Sequence, residues 1–255
     1  MPRAEEARVS HHVRIGTSGW EYEHWRRRFF PTGLPRDRWL EFYAERFDTV
    51  ELNASFYRLP EPETFKTWAG RVPARFAYAL KASRYLTHVR RLRDPQEPLE
   101  RLWSRALRLG PHLGPMLYQL PPRWLPNIDR LDAFLAAVPP DRDQALEFRD
   151  RRWYRTDVLS ALEESPVSLC LHDMPGSAPH PDPVGTIVYV RFHGAGQPYG
   201  GSYSPQRLSA WAQRMAEWSS SGLPVWAYFN NDVGGHAVVD ADRLRGMVAR
   251  RLANR

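Results

Sequence analysis

Residues 187–193 read Ile-Val-Tyr-Val-Arg-Phe-His, and this stretch decides the class of fold. Side chains alternate between the two faces of a strand, so one face of this stretch is apolar. The opposite face carries Tyr189, Arg191 and His193. A strand that is apolar on one side and ionic on the other suits a barrel covered by helices, with polar groups in its interior.

Two further segments show the same division of faces. In residues 144–149 the polar face carries Glu147 and Arg149, and in residues 167–173 it carries His172. Two explanations remain open at this point. The polar interior is either a satisfied structural ion-pair core, since buried charges must be paired, or a functional site whose floor reaches into the barrel.

Strand patterns and helix patterns alternate along the whole chain. The predicted strands are Val13–Thr17, Thr49–Leu52, Phe76–Leu80, Pro115–Leu120, Gln144–Phe148, Val167–Leu171, Ile187–Phe192 and Val225–Phe229. The predicted helices are Arg36–Phe47, Glu61–Ala69, Leu99–Leu109, Ile128–Val138, Tyr154–Glu164, Pro205–Trp218 and Ala241–Leu252. Strict alternation favours parallel βαβ units. Eight repeats within 255 residues predict an α/β fold, a single (β/α)8 TIM barrel, rather than an open sheet. We expect one domain over 13–255, with 1–12 as a frayed tail.

Composition excludes several classes of protein. Apolar residues make up 42% of the chain and charged residues 25%, which is ordinary for a globular domain and excludes disorder. No apolar stretch approaches the roughly 18 residues of a membrane span, so no membrane partner is expected. Cys170 is the single cysteine, which fits a reducing cytoplasm. The N-terminal residues lack the apolar segment of a secretory signal.

The charge balance is basic, at +7. Lys66 and Lys81 are the only lysines, so arginine supplies 36 − 2 = 34 of the positive residues. This balance indicates either a solvated basic surface or an anionic partner. The position of the arginines must decide between these two readings.

Polar residues gather where the predicted strands end, which is where barrel active sites lie. The candidate catalytic residues are Glu51, Lys81, Glu147 and His193. The candidate substrate-binding residues are Trp20, Asn53, Tyr57, Gln119, Arg149, Trp153, Arg191, Asn230, Asn231 and Asp232. Since closure of the barrel brings the strand ends together, we expect the charged members to line one pocket with the two asparagines Asn53 and Asn230.

The residue types suggest acid-base chemistry. Glu51 and Glu147 come from different strands, and two carboxylates in different environments can divide acid and base roles. Alternatively, each forms a salt bridge with a nearby Arg or Lys. Lys81 offers a compact, titratable ammonium that could serve as a base, a Schiff-base amine or an anion clamp. A structural ion pair is the other reading of Lys81.

No cofactor is predicted, and we expect no tightly held transition metal. Glu51, Glu147, Asp173 and His193 do have the side-chain types that bind a divalent metal, so a bound metal remains an alternative. These four residues are dispersed in the sequence, without a His-x-x-x-His or Asp-x-Asp run. The glycine-rich stretch 194–202 is either a weak phosphate-binding signal or a flexible turn.

Aromatic residues and arginine runs fall in the loops that follow the strands. The aromatic residues suit stacking on sugars or bases, or simply cap the barrel. The arginine runs are residues 26–28, residues 90, 91 and 93, and residues 151–152. Because these loops open on one face of a barrel, the runs favour an anionic ligand at the mouth.

Short motifs across nearly the whole chain resemble those of the YecE-like family. They are Gly16-Thr17-Ser18-Gly19-Trp20 with Tyr22 and Trp25, Val50-Glu51-Leu52-Asn53 with Phe56-Tyr57, Leu80-Lys81, Thr87-His88, Gln119-Leu120-Pro121-Pro122, Glu147-Phe148-Arg149 with Trp153, Arg191-Phe192-His193-Gly194, and Tyr228-Phe229-Asn230-Asn231-Asp232. Asp150 stands where the resemblance leads us to expect a histidine. The resemblance implies a TIM barrel, and since the family has no settled reaction it implies no particular activity.

Three functions are consistent with these observations. The first is an enzyme that uses acid-base groups at the barrel mouth on a small polar, anionic substrate, phosphorylated or sugar-like. The second is a protein that binds nucleic acid or cleaves phosphodiesters, because the barrel is similar to those of apurinic-site endonucleases as well as sugar isomerases. The third is a non-catalytic ligand-binding barrel. Fold analogy does not decide among them.

Overall fold

The computed structural model describes residues 13–177, 180, 182–196 and 199–254. The segment 1–12, predicted as a frayed tail, lies outside the described residues. Parallel strands run in the order β1 to β8 and close into a barrel. Val13 to Thr17 of the first strand pair with Val225 to Phe229 of the last and complete the closure. The predicted single (β/α)8 TIM barrel is therefore confirmed.

Each strand begins and ends within two residues of its predicted segment. They are β1 (Val13–Ser18), β2 (Thr49–Leu52), β3 (Ala77–Lys81), β4 (Leu113–Gln119), β5 (Gln144–Glu147), β6 (Val167–Asp173), β7 (Val188–Phe192) and β8 (Val225–Phe229). All residues of β2, β3 and β5 to β8 are buried. This is expected because helices cover a parallel barrel on the outside.

The α-helices lie between the strands and after β8, with two after β2 and none among the described residues between β6 and β7. They are α1 (Trp39–Arg46), α2 (Ala54–Tyr57), α3 (Pro62–Ala69), α4 (Gln96–Ala106), α5 (Ile128–Leu135), α6 (Thr156–Glu163), α7 (Pro205–Ser220) and α8 (His236–Ala253). Local sequence explains several starts. Pro62 and Pro205 occupy the first turns of α3 and α7, where the missing N–H is tolerated. The side chain of Asn127 accepts a hydrogen bond from the Arg130 backbone N–H at 2.9 Å and caps α5.

The last helix is longer than its periodicity predicts. It begins at His236 rather than Ala241, because Ala237 and Val238 are buried and extend its packing face. The short helix α2 and a π-helical segment, Tyr85–Val89, are absent from the sequence prediction. Within the described residues, no helix has the length and apolar character needed to cross a membrane.

The barrel wall separates two buried layers. Between strands and helices lies the large apolar core, which includes Val188, Val190 and Phe192 of β7. Inside the lower barrel lies a smaller cluster that includes Ala145, Cys170 and Tyr189. The side-chain alternation predicted from the sequence therefore matches the two layers. Above this cluster, at the carboxyl ends of the strands, the interior becomes ionic.

Candidate functional site

A cavity of about 400 Å³ opens at the mouth of the barrel, among the carboxyl ends of the strands. The residues that line it come from the ends of β2, β3, β7 and β8 and from the loops that follow the strands. They are Tyr22, Asn53, Tyr57, Lys81, Arg191, Tyr199, Asn230 and Asp232. Strand ends place these groups on a rigid frame, as in barrel enzymes.

Arg191 forms the floor of the cavity and is only 1% exposed. Its Nε and Nη2 atoms donate to the two carboxylate oxygens of Glu51 at 3.0 and 2.8 Å. Its Nη1 atom donates to Oε2 of Glu147 at 2.7 Å. One guanidinium thus joins carboxylates from β2 and β5 across the barrel, with the paired geometry that arginine favours.

Glu51 is fully buried and receives hydrogen bonds on both oxygens. The Ser18 hydroxyl donates to Oε1 and the Tyr189 hydroxyl to Oε2, each at 2.7 Å. Burial alone would raise the pKa of Glu51, but the charge and hydrogen bonds of Arg191 outweigh it and lower the pKa. The carboxylate is therefore a fixed anion and not a proton carrier at neutral pH.

Glu147 is equally buried, but its hydrogen bonds fall on Oε2, and Oε1 has an ion pair with Arg149 without a hydrogen bond among the described residues. Gln119 donates to its Oε2 atom at 2.8 Å, and Arg149 Nη1 lies 3.0 Å from its Oε1 atom. Burial would raise the pKa of Glu147, but Arg149 and Arg191 hold it well below its usual range. Neither glutamate lines the cavity, so both act on it through the arginines.

His193 lies behind the cavity wall and is fully buried. Its Nδ1 atom is 3.3 Å from Asn230 Nδ2, and its Nε2 atom is 3.5 Å from Glu147 Oε1. Burial lowers the pKa of His193 to about 4, so the ring is neutral at pH 7. Arg149 Nη1 also lies 3.3 Å from Nε2, so the ring is held between the amide of Asn230 and the Glu147–Arg149 pair. His193 thereby fixes the orientation of an amide that does line the cavity.

Lys81 ends β3 and points its ammonium group into the cavity. Its Nζ atom lies 4.0 Å from the centre of the Phe56 ring, a cation-π distance. No carboxylate of the described residues lies within ion-pair distance of this nitrogen. Burial, followed by repulsion from Arg191, lowers the pKa of Lys81 to about 8.

Asp232 supplies a carboxyl group to the same cavity. Burial raises the pKa of Asp232, and its nearest basic side chain is His24, whose Nε2 atom lies 3.7 Å from Oδ2. Asn53 adds a buried Oδ1 atom that has no hydrogen-bond partner among the described residues. The cavity therefore presents an ammonium, a carboxyl group and a bare amide oxygen to any molecule that enters it.

Several predicted residues lie elsewhere. Trp153 does not line the mouth cavity. It is fully buried, its ring is stacked on Phe148, and its Nε1 donates to Trp124 O at 2.7 Å. It packs in the apolar core because the loop after β5 folds back over the barrel wall. Trp20 lines a separate cavity of about 190 Å³, where its ring packs edge-on against Trp68.

Two more predicted residues support the site from outside the cavity. Gln119 holds Glu147, as described above. Asn231 is fully buried, and its Nδ2 atom donates to Gly201 O and to Asp240 Oδ2, both at 2.9 Å. It thus anchors the end of the loop after β7, of which residues 197–198 lie outside the described residues. Tyr57 stands at the rim with 82% of its surface exposed.

The cavity is also lined by Tyr22 and Tyr199, which are not among the predicted site residues. Both belong to the loop aromatics, and their hydroxyls hold neighbouring groups. Tyr22 donates to Ser18 O at 2.6 Å, and Tyr199 OH accepts from Arg149 Nη2 at 3.3 Å. Their position on loops explains why strand alternation did not identify them.

Of the residues expected in one pocket, the structure brings Lys81, Arg191, Asn53 and Asn230 to the mouth cavity. Arg149 lies on the wall of a neighbouring cavity. Glu51, Glu147 and His193 form the layer beneath. Within the described ranges, no group of three or more His, Cys, Asp or Glu side chains is placed to hold a metal ion.

Fold and site together define a TIM-barrel protein with a buried ionic lattice under a polar mouth. A family model described as "Protein of unknown function DUF72" matches residues 14–255. The chain belongs to this family, and the resemblance to YecE-like proteins is confirmed.

Relatives and solved structures agree with this assignment. The UPF0759 protein YunF of Bacillus subtilis is 27% identical over 267 residues, covering 91% of this chain and 93% of YunF. The UPF0759 protein YecE of Escherichia coli K12 is 23% identical over 247 residues, covering 87% of each chain. A DUF72 family protein from Thermotoga maritima superposes with a TM-score of 0.85 at 25% identity, covering 94% of this chain and all of that one. A D-psicose 3-epimerase, at 11% identity and a TM-score of 0.53, shares the fold alone.

Proposed function

We propose that this protein is an enzyme that moves a proton on a small, polar, anionic substrate held in the mouth cavity, with Lys81 as the acid-base group. The observation that carries the proposal is the state of Lys81. Its ammonium lines the cavity, is nine-tenths buried and lacks a carboxylate partner. A lysine that only balanced a charge would lie beside one of the glutamates, both of which face arginines instead.

The acid-base role follows from the direction of two pKa shifts. The pKa of Lys81 falls to about 8, and burial raises that of Asp232. The pKa values of both groups thus shift towards neutral pH. A pKa near the working pH is the condition for efficient general acid-base catalysis. Because they line the same cavity without pairing with each other, one could remove a substrate proton while the other donates one.

The charge of the site supports an anionic substrate. Glu51 and Glu147 balance Arg149 and Arg191, so the lattice beneath the cavity is neutral. Lys81 adds a positive charge next to Arg191, and a low-polarity environment strengthens its attraction for an anion. The bare Oδ1 atom of Asn53 needs a hydrogen-bond donor. A hydroxylated, sugar-like anion would supply both groups.

In this proposal Glu51, Glu147 and His193 are positioning residues. The two glutamates hold Arg191 and Arg149, and His193 orients Asn230. A buried ion-pair lattice of this kind contributes little to stability compared with apolar packing, but it fixes the cavity floor. A fixed floor is what preorganised catalysis requires. The single buried cysteine supports a place for the enzyme in the reducing cytoplasm.

Deuterium exchange tests the proposal. The protein is incubated in D2O with a panel of sugar phosphates and sugar acids, and proton NMR follows the C–H signal next to the carbonyl group. We expect exchange with at least one substrate, and we expect Lys81→Met to lower its rate by more than about 100-fold. Lys66→Met is the matched control, because Lys66 is the only other lysine and is half-exposed on α3.

The result can contradict the proposal in a defined way. If Lys81→Met folds normally and exchanges at the rate of the Lys66→Met control, Lys81 is not the acid-base group. If both variants and the unmodified protein bind members of the panel without exchange, the barrel binds ligands and does not catalyse this reaction.

Nucleic-acid binding is the second candidate function, and exposed residues at the rim favour it. Arg91, Arg93 and Arg151 are exposed, and no carboxylate of the described residues pairs with them. Tyr57 and Tyr85 expose 82% and 51% of their surfaces nearby in the loops after β2 and β3. Guanidinium groups and flat rings together suit a phosphate backbone and its bases.

A further inference from the structure

A second cavity, of about 700 Å³, lies on the other side of Arg149 from the barrel mouth. The described residues that line it come from the loops after β5 and β6. They are Arg149, Asp150, Arg151, Tyr154, Met174, Gly176 and Ser177. The Arg149 guanidinium contacts Tyr199 OH at 3.3 Å, and Tyr199 lines the mouth cavity. This contact thus joins a residue that lines one cavity to a residue that lines the other.

Ser177 is held in this second cavity by a tight turn. Residues 174–177 read Met-Pro-Gly-Ser, and the Ser177 backbone N–H donates to Met174 O at 3.1 Å. Pro175 suits the second position of such a turn, and Gly176 has the positive φ of 75° that the third position requires. The serine hydroxyl is therefore fixed in place by the backbone.

The hydroxyl of Ser177 contacts His172 at the end of β6. The Oγ atom lies 2.7 Å from Nε2 of the ring, which is only 1% exposed. The other ring nitrogen, Nδ1, is buried without a partner among the described residues. If Nε2 accepted the serine proton, Nδ1 would carry an orphaned N–H. Because buried N–H groups without acceptors are rare, we assign the proton to Nε2.

This assignment determines what Ser177 can offer a ligand. The imidazole N–H donates to Oγ, and the serine O–H is left free to donate into the cavity. Burial lowers the pKa of His172, which keeps the ring neutral and preserves this arrangement at neutral pH. Tyr154 also lines the cavity, and its buried hydroxyl has no partner among the described residues.

The side chains on the cavity wall carry a net positive charge. Asp150 is neutralised by Arg152, whose Nε and Nη2 atoms donate to it at 2.8 and 2.6 Å. Arg149 is balanced by Glu147. Arg151 remains, exposed and without a carboxylate partner in the part of the chain that the structure describes. Hydroxyl and guanidinium donors around a net positive charge are the groups that bind phosphate.

We infer that this second cavity binds the phosphate group of a small phosphate monoester, through Arg149, Arg151 and the hydroxyl of Ser177. Its volume exceeds that of a free phosphate ion and leaves room for the organic part of the molecule. The inference does not depend on proton transfer at Lys81, because the two cavities share no lining residue among those described.

Isothermal titration calorimetry at constant ionic strength tests the inference with three probes: inorganic phosphate, glycerol 2-phosphate and acetate. We expect saturable binding of both phosphates, with the monoester at least as tight, and roughly tenfold weaker binding of acetate. Ser177→Ala and Arg151→Gln should each weaken phosphate binding roughly tenfold. Arg155→Gln is the matched control, since it removes the same charge nearby from a residue that is paired with Asp157.

Three outcomes would overturn the inference. The first is the absence of saturable phosphate binding at concentrations up to about 50 mM, which is weaker than any functional phosphate site would be. The second is equal phosphate affinity in Ser177→Ala, Arg151→Gln and Arg155→Gln. The third is loss of binding in Lys81→Met with retention in Ser177→Ala, which would place the phosphate in the mouth cavity. Circular dichroism checks that each variant is folded, and Arg151→Gln alters only an exposed side chain.

Discussion

The ammonium of Lys81 is placed where burial acts against its charge. It is 9% exposed and faces a ring rather than a carboxylate, so the folded state holds its proton less tightly than the unfolded chain does. Arg191 shows the opposite case. It is even more buried, yet two glutamates raise its pKa well above its usual range. The contrast between the two cations distinguishes a group available to a ligand from a group locked in the structure.

This contrast predicts how stability depends on pH. The folded pKa of Lys81 is about 8, against 10.5 in the unfolded chain. Below pH 8 both states carry the proton, and the cost of the buried charge is fully present. Between these values the unfolded state binds more protons, so the free energy of unfolding rises with pH. Urea unfolding should show the unmodified protein gaining about 2 kcal/mol relative to Lys81→Met between pH 7.5 and 10.

The control for this measurement is Lys66→Met. This variant removes the same charge from a half-exposed side chain whose Nζ atom lies 2.7 Å from Glu63 Oε1, and it shows what the loss of an exposed lysine does to the pH profile. Parallel pH profiles for the unmodified protein and Lys81→Met would show that Lys81 titrates normally.

At the scale of elements, strand alternation explains what could be predicted. Arg191 and Glu147 lie inside strands, where the period of two decides which side chains face the interior. Their place beneath the mouth followed from the sequence for that reason. Trp153 and Tyr57 lie in short helical turns after strands, outside the strand period. Both are aromatic residues of such segments, yet Trp153 is fully buried and Tyr57 is 82% exposed.

Other features of the site depend on contacts that the sequence does not encode locally. The hydrogen bond between Ser177 and His172 requires a particular turn to return the chain to the end of β6. The π-helical segment Tyr85–Val89 after β3 has no propensity signature, because such segments are rare and arise from tertiary packing. The sequence therefore predicts which strand residues form the site and its charged floor. It does not predict how the loops above them are arranged.

The close approach of β1 and β2 at Gly16 gives a prediction about the motif at residues 16–20. An added Cβ at Gly16 would lie 2.2 Å from the backbone oxygen of Thr49 in β2. Since backbone cannot move aside cheaply in a closed barrel, Gly16→Ala should lower the free energy of unfolding by about 1–3 kcal/mol or more. Thermal unfolding followed by circular dichroism measures this effect.

Gly70→Ala serves as its control, because nothing lies closer than 3.6 Å to a Cβ at Gly70. That variant should change stability by less than about 0.5 kcal/mol. Equal stability of the two alanine variants would mean that β1 and β2 can separate without loss, which a closed barrel does not allow.

At the scale of the whole molecule, the net charge is +7, but only part of the positive charge is free to attract an anion. Many exposed arginines are already paired with nearby carboxylates. Examples are Arg26 with Glu23, Arg90 with Asp94 and Arg245 with Asp242. The charge available at the mouth therefore comes from the arginines without such partners, and their number limits how many phosphates the rim can neutralise.

The salt dependence of DNA binding tests that limit and separates the two proposed functions. Exposed arginines of the segments after the strands that have no described carboxylate partner include Arg27, Arg28, Arg58, Arg84, Arg91, Arg93, Arg123 and Arg151. Each neutralised phosphate contributes about 0.9 to the slope of log K against log salt, so contacts from all eight would give a slope of about −7. Fluorescence anisotropy with a labelled duplex, over a series of salt concentrations, measures the slope. We expect weak binding at low salt that disappears near physiological salt. A slope of about −4 or steeper, with binding retained at physiological salt, would show that at least four phosphates are neutralised together and would favour the nucleic-acid function over the metabolic one.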